Sequence, residues 1–379
     1  MTALPCGRTL LGIMLEVTFS RARQRRLQAV LAERRLDAAV VGASHHVYYF
    51  SSHLARWTHH AAMVLLADGR SLLVSANRPD EKAAADRAVA YEANWMGTLR
   101  QEQPAAVAEK VAAFLAESKA HRVGIDQSAV SSQVILQSQA TFEPIDDALH
   151  QMRRVKDPDE LTLMRRANDC TRAMYERARQ IIEPGISEIE VFNQLHAAAV
   201  EEAGEPLTAL LGNDFACGVA GGPPRAGRKA QAGELYILDL GPAYRGYFAD
   251  NCRAIAVDRK PTDAQMRLWR AIVSCFEIVE RMARPGVRCV EIFKAVDAHL
   301  KQTVGTGMVH HLGHGVGLQP HEYPHINPKW DDVLLEGEVF TIEPGAYADE
   351  YRGGIRLENN YLVTKSGVEN LTPYPLELT

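Results

Sequence analysis

The chain has no pair of cysteines in Cys-x-x-Cys spacing. Its six, Cys6, Cys170, Cys217, Cys252, Cys275 and Cys289, are scattered through segments that read as helix and strand. That pattern argues against a zinc–thiolate site or a disulfide framework and for small buried residues in a reducing cytosol. Nor does any apolar run approach the roughly 20 residues of a membrane span. The run over 10–14 is closed off by Glu16 and is too short for a secretory signal. Met1 and Met14 are both candidate starts. There is no large excess of one charge either. The formal net charge of -5 supplies no electrostatic reason to expect nucleic acid or an anionic membrane as partner. What remains, 46% apolar and 23% charged over 379 residues, is ordinary for a soluble protein of two domains.

The first 150 residues alternate short strands with helices. A helix over 21–35 has Ser20 as its cap and Leu27, Val30 and Leu31 on one face, with its arginines solvated. Strands are expected over 37–41 and 47–50, and the segments 61–66 and 71–75 flank Asp68-Gly69, a hairpin signal. Helices over 104–118 and 130–137 enclose a strand over 122–125. This alternation is that of an α/β domain. His45, His46, His53, His59 and His60 lie near strand ends and loops; no carboxylate spacing supports a metal site there, so packing roles are expected. The junction falls just before Asp157-Pro158, a helix cap followed by proline at the first helical position, with Asp159 and Glu160 at the positive end of that helix. The domains are therefore drawn as 1–152 and 153–379.

The second domain carries an internal repeat. Residues 183–192 resemble 284–293 at an offset of 101. In each copy a long helix (161–182; 263–283) ends near Pro-Gly and a second begins. A β-rich segment with two carboxylates follows each pair: Asp239 and Asp250, then Glu343 and Glu358. A duplicated unit of two helices and a sheet would bring these segments together about a pseudo-twofold axis. Asp239 lies in an apolar strand, and Asp250 ends the next. A hairpin turning at Tyr244 and Arg245 would set the two opposite one another, side chains about 5 Å apart. Two carboxylates so close repel and are costly to desolvate, and a cation removes both costs.

Between the carboxylate pairs, 308–322 holds His310, His311, His314 and His321 interleaved with Gly313, Gly315 and Gly317. The glycines allow close approach of backbone to whatever the imidazoles address. Glu343 ends an apolar strand, and Glu358 lies inside another. Four carboxylates and one or more imidazoles suit two divalent ions, which can share a hydroxide nucleophile and polarise a carbonyl or phosphoryl oxygen. No cysteine belongs to the set, which argues against a structural zinc–thiolate site.

Taken in order, these residues resemble the metallopeptidase family of the pita-bread fold: methionine aminopeptidase, aminopeptidase P, prolidase and the metal-free relative creatinase. The matching motifs are Asp239-Leu240-Gly241 with Asp250, Gly313-His314-Gly315-Val316-Gly317 with His321-Glu322, Thr341-Ile342-Glu343-Pro344-Gly345, and Arg356-Leu357-Glu358. The linker 152–160 also matches, and 36–41 with 47–50 resembles the extra N-terminal domain of prolidase, aminopeptidase P and creatinase. The resemblance implies an α/β N-terminal domain followed by an α+β pita-bread domain with an internal pseudo-twofold repeat. It implies five metal ligands: Asp239 on one ion, Asp250 and Glu358 bridging two, His314 and Glu343 completing the second. Glu343 would also take a proton from the bridging water. His321 and His310 would stand near the scissile carbonyl, and Arg356 would hold carboxylate geometry. Two Mn²⁺ ions are implied, with Co²⁺, Zn²⁺ or Fe²⁺ also compatible with the donors. A small peptide or amide substrate, a homodimer through the N-terminal domains and a cytoplasmic location are implied as well.

This sequence departs from the family in one respect that bears on substrate. The peptidases carry a further His about 17 residues before the first ligand Asp; counting back from Asp239 reaches Gly222. Arg225 is a candidate replacement through a substrate carboxylate, or else a solvated loop residue. Asn359-Asn360 stand where acidic residues often follow the last ligand. Three readings follow: an Xaa-Pro dipeptidase or aminopeptidase using a metal-bridging hydroxide, a metal-dependent hydrolase of a non-peptide or cyclic amide, and a non-enzymatic binding module. The retained ligands count against the last.

Overall fold

The computed structural model describes residues 14–56 and 58–379. Cys6 and the apolar run up to residue 13 lie outside the described residues. The described chain divides into two compact units, Met14–Arg153 and Arg154–Thr379. Among the described residues, no helix is long and apolar enough to cross a membrane.

The first unit comprises α1 (Val17–Arg34), β1 (Ala38–Val41), α2 (Ser44–Ser51), β2 (Ala62–Leu66), β3 (Ser71–Ala76), β4 (Arg87–Tyr91), β5 (Asn94–Trp95), β6 (Thr98–Leu99), α3 (Gln103–Glu117), β7 (Arg122–Ile125), α4 (Ser132–Gln137) and β8 (Thr141–Pro144), with α5 (Asp146–Arg154) leading to the junction. Its sheet has the order β4-β3-β2-β1-β7-β8. β2 and β3 pair antiparallel across Asp68-Gly69, whereas β7 joins β1 in parallel. Two expectations fail here. Residues 47–50 form helix α2, not a strand. Val47, Tyr48, Tyr49 and Phe50 are all buried, so consecutive side chains on every side of the segment meet core, and that packing outweighs their strand preference. Ser20 does not cap α1, which starts three residues earlier, after Glu16; its hydroxyl donates to the Tyr49 carbonyl at 3.3 Å. Of the histidines, His46 is buried, with Nδ1 3.0 Å from Asp126 Oδ2 and Nε2 3.1 Å from Arg153, and His53 meets Asp80 at 2.7 Å. These contacts are structural packing. Among the described residues, no metal-sized cluster of donors includes an N-terminal histidine.

The second unit opens with α6 (Pro158–Ile181) and α7 (Glu188–Ala203), followed by β9 (Ala209–Cys217), β10 (Leu235–Tyr244), β11 (Tyr247–Phe248) and β12 (Asn251–Ala256). Its second half opens with α8 (Asp263–Met282) and α9 (Cys289–Val304), followed by β13 (Gly313–Gly315), β14 (Glu322–Ile326), β15 (Val339–Ile342), β16 (Gly345–Ala348), β17 (Gly353–Arg356), β18 (Asn359–Val363) and β19 (Val368–Asn370). Asp157 and Glu160 form a reciprocal capping box at the start of α6, and Thr262 and Gln265 form another at α8, each satisfying two otherwise unpaired backbone donors.

The duplication extends to backbone detail. Gly185 N–H donates to Ala230 at 2.8 Å and Gly286 N–H to Leu334 at 2.9 Å; the return bonds, Ala230 to Ile186 and Leu334 to Val287, are both 2.9 Å. α7 ends at Gly204 with φ 70° and α9 at Gly305 with φ 76°, the left-handed C-terminal stop that glycine adopts at little cost. Leu268, Ile272 and Phe276 of α8 and Ile292, Val296 and Leu300 of α9 share a core with Phe340, Ile342 and Tyr361 of the second sheet. In the first half, Tyr175 of α6 donates to the Leu238 carbonyl of β10 at 3.1 Å.

The β10 hairpin differs in register from expectation. Its turn is Arg245-Gly246, both at positive φ (46° and 89°), as a two-residue type I′ turn requires. Moving the turn by one residue moves each cross-strand partner by two. Asp239 therefore faces Cys252, and Asp250 is its diagonal neighbour on the same face, still within reach.

Gly315 has no room for a side chain: a Cβ there would stand 1.9 Å from the Tyr323 carbonyl oxygen. Gly315→Ala should therefore cost at least about 2 kcal/mol, read as a lower urea midpoint at unchanged m value. Gly367→Ala, where a Cβ meets nothing within 4 Å, should stay within about 0.5 kcal/mol of wild type. Equal effects at the two positions would contradict this packing.

Candidate metal centre

Each half of the duplicated unit contributes carboxylates to one cavity of about 260 Å³, lined by Asp239, Asp250, His310, His311, His314, His321, Glu343, Arg356 and Glu358. Asp239 projects from the middle of β10, and Asp250 lies between β11 and β12. His314 is the central residue of β13. Its neighbours must be glycine, because a Cβ on Gly313 would lie 1.9 Å from the Thr341 carbonyl. Glu343 follows β15 directly. Glu358 lies not inside a strand, as expected, but between β17 and β18, where the chain leaves a two-stranded ribbon and enters the larger sheet. Its N–H donates to Cys252 at 2.9 Å, which ties the two halves together at the site.

The donor atoms converge. Oxygens of Asp239, Asp250 and Glu358 lie within 4.8 Å of one another, and so do atoms of His314, Glu343 and Glu358. Glu358 belongs to both groups. His314 Nε2 is 3.6 Å from Asp250 Oδ2 and 3.5 Å from Glu343 Oε1. His314 and His321 stack with centroids 3.6 Å apart, and His311 Nε2 is 2.9 Å from Glu343 Oε1. Arg356 donates to Asp239 Oδ2 at 2.8 Å, to Tyr347 Oη at 3.1 Å and to Asp214.

All of this is nearly dry. Asp239, Asp250 and Glu358 are 7%, 5% and 1% exposed. Burial, only partly offset by Arg356, pushes Asp239 up to about 6. Burial and then mutual repulsion push Asp250 and Glu358 well above the carboxylate range. Burial lowers His314 to about 4, so it is neutral and can offer a lone pair. Burial would raise Glu343 too, but the hydrogen bond from His311 and the surrounding imidazoles hold it down to about 2. Asp239 Oδ1 and Glu358 Oε2 are buried without a hydrogen-bond partner. Buried oxygens rarely go unpaired, and two that do so within a ring of repelling carboxylates fit a cation.

The comparison with known families agrees with this chemistry. Metallopeptidase family M24 matches residues 162–365, more than half of the chain. The chain belongs to that family. In this M24 member the Creatinase/Prolidase N-terminal domain matches residues 23–155. An uncharacterised peptidase of Staphylococcus aureus is 27% identical over 351 residues, 91% of this chain and 97% of the relative. A putative dipeptidase of Bacillus subtilis is 30% identical over 243 residues, 63% of this chain and 66% of the relative. Among solved structures, an Xaa-Pro dipeptidase from Bacillus anthracis superposes with TM-score 0.80 at 25% identity, covering 95% of this chain and 99% of the other. An X-Pro aminopeptidase from Thermotoga maritima gives 0.78 at 23% identity, covering 94% and 98%, a likeness of fold. The pita-bread architecture of this M24 chain thus agrees with the expectation from its motifs.

Several site residues were not singled out by sequence reasoning. His311 sits among the other histidines of 308–322 but has no distinguishing spacing. Tyr347 and Asp214 lie in segments without a motif, and only folding brings them to Arg356. Arg225 is engaged away from the cavity: its guanidinium grips buried Glu188 at 2.6 Å and 3.1 Å and donates to the Cys217 carbonyl at 2.7 Å. This corrects its candidacy as a substrate clamp. Asn359 accepts from buried Arg253 at 2.9 Å, a structural contact. Cys170, Cys217, Cys252, Cys275 and Cys289 are free and buried, as their scatter implied.

The raised pKa of Asp239 has a definite sign. Below its ordinary value of 3.8 it is protonated folded or unfolded and carries no penalty; as pH rises through about 6 the folded form must ionise in a dry site. Relative to wild type, Asp239→Asn should gain about 3 kcal/mol of stability between pH 4 and pH 7, both proteins chelator-treated and measured by chemical denaturation. A pH-independent difference would refute this assignment. Mn²⁺ should stabilise wild type at pH 7 and the variant much less.

Proposed function

We propose that this protein is a dinuclear metal-dependent hydrolase of an amide bond, cutting an Xaa-Pro dipeptide or the N-terminus of a short peptide. The observation that carries the reading is the convergence of Asp239, Asp250, His314, Glu343 and Glu358, from both halves of the fold, around two unpartnered buried oxygens. Asp239, Asp250, His314, Glu343 and Glu358 are the residues that would hold the ions. Two divalent ions bound there supply Lewis-acid polarisation of the scissile carbonyl and an acidified water.

The chain's own groups handle positioning and protons. Glu343 stays ionised, so its carboxylate is available to take the proton of the attacking water and return it to the leaving nitrogen. His310 Nδ1 lies 2.7 Å from the His311 carbonyl, which only accepts. That nitrogen therefore carries the proton, and Nε2 accepts from Tyr347 at 3.0 Å. Both nitrogens of His310 are thus engaged, and it orients the wall of the cavity together with Tyr347 and Arg356. His321 forms no hydrogen bond among the described residues, so its ring N–H is available as a donor to the developing oxyanion. Arg356 holds Asp239 through Oδ2.

Mn²⁺ as the working ion, a homodimer through the N-terminal domains and a cytoplasmic location are part of this proposal and rest on family resemblance; domain limits of 1–152 and 153–379 belong to it too and rest on the helix start at Asp157-Pro158. A second reading, hydrolysis of a non-peptide or cyclic amide, is favoured by one observation. Gly222, standing where the peptidases carry a further His, has nothing within 4 Å of a would-be Cβ, and Arg225 does not fill that role.

The test is a panel of Xaa-Pro dipeptides, longer Xaa-Pro peptides and cyclic amides assayed with Mn²⁺-loaded enzyme. Turnover of a proline substrate is expected, and turnover of cyclic amides alone would select the second reading. Asp250→Asn should lower kcat/KM at least 1,000-fold, about 4 kcal/mol of transition-state stabilisation. Near-wild-type activity in that variant would overturn the ligand assignment.

A further inference from the structure

Asp214 is the least expected charge near the centre. The register of β9 on β10 places it directly opposite Asp239, so two carboxylates share one face of the sheet at cross-strand distance, a destabilising pair in isolation. The register shifts just beyond this pair, where Leu240 faces Gly212. The extra residue on β9 is the bulge that aims this end of the strand. Arg356 Nη2 donates to both carboxylates.

The other oxygen of Asp214 is also engaged. Gly222 N–H donates to Oδ1 at 2.5 Å. The backbone can come that near because Gly221 lacks a side chain: a Cβ there would lie 2.6 Å from Asp214 Oδ2, and its φ is +139°. The loop is anchored from behind, where Arg225 N–H and guanidinium bind buried Glu188. Gly222, which stands where the family carries a further His, thus joins Gly221 and Arg225 in one device that fixes the Asp214 carboxylate.

The consequence falls on Asp239. A guanidinium meeting a lone carboxylate closes a two-pronged pair that occupies both oxygens. Shared with Asp214, Arg356 occupies only Oδ2 of Asp239, and Oδ1 stays buried and unpartnered. We propose that Asp214 is a positioning residue for the metal centre: by dividing Arg356 with Asp239 it keeps one oxygen of that ligand free to bind an ion. The inference rests on the metal-ligand reading above.

The experiment titrates Mn²⁺ calorimetrically into chelator-treated, full-length wild type, Asp214→Asn and Gly221→Ala, and records the visible spectrum of each after Co²⁺ loading. In Asp214→Asn, Arg356 is left to Asp239 alone. One binding step should weaken roughly 10–100-fold, the usual cost of altering a residue that orients a metal ligand, and the Co²⁺ bands should shift. Gly221→Ala displaces the Asp214 carboxylate without removing its charge and should move both readouts in the same direction by less; it serves as the test if Asp214→Asn does not fold. Wild-type affinity and an unchanged Co²⁺ spectrum in the folded variants would overturn this inference and leave the ligand assignment standing. Failure of wild type to bind Mn²⁺ would overturn both.

Discussion

The structure turns on the repulsion among buried carboxylates. Asp239, Asp250, Glu343 and Glu358 are held in a site with almost no water, where like charges resist ionisation. Only Arg356 among the cavity-lining side chains offers a fixed positive charge, and it is already divided among Asp239, Asp214 and Tyr347. The protein backbone tolerates this arrangement because the carboxylates sit on or beside buried strands, tied together by contacts such as Glu358 N–H to the Cys252 carbonyl. Fixed anions around a small cavity are what a divalent ion needs and what a metal-free core avoids.

Duplication solves the geometric problem. A single unit of two helices and a hairpin can aim two carboxylates from one side only. Two copies, with matching hydrogen bonds at Gly185 and Gly286 and matching stops at Gly204 and Gly305, face their ribbons toward a common centre. The second copy then adds what the first lacks, the glycine-flanked His314. Because Gly313 and Gly315 admit the Thr341 and Tyr323 carbonyls at distances no side chain would allow, the imidazole is delivered into the cavity by backbone packing as much as by its own contacts.

Motifs carried over to structure wherever function depends on a few residues at fixed local spacing. The apolar strand holding Asp239, the strand end at Glu343, the helix cap at Asp157, and the helix pairs of the repeat were all legible, because caps, turns and apolar runs are short-range signals. Where burial on all sides replaces one-sided burial, local preference misleads: 47–50 has strand residues in a helix. The hairpin register slipped for a related reason. A turn misplaced by one residue changes every partner by two, and Arg245-Gly246 signals its position only through backbone angles.

By itself, then, the sequence determined the pita-bread unit, its repeat and the candidate ligand residues, since each is written as a local motif whose chemistry follows from residue type and spacing. Tertiary structure alone decided the company those residues keep. Asp214, 142 residues from Arg356, reaches it through strand pairing. Tyr347 takes up the Nε2 of His310, and Arg225 is drawn away to Glu188. Pairings of this kind depend on long-range register and on which charges find a partner once water is excluded, and no spacing along the chain encodes either.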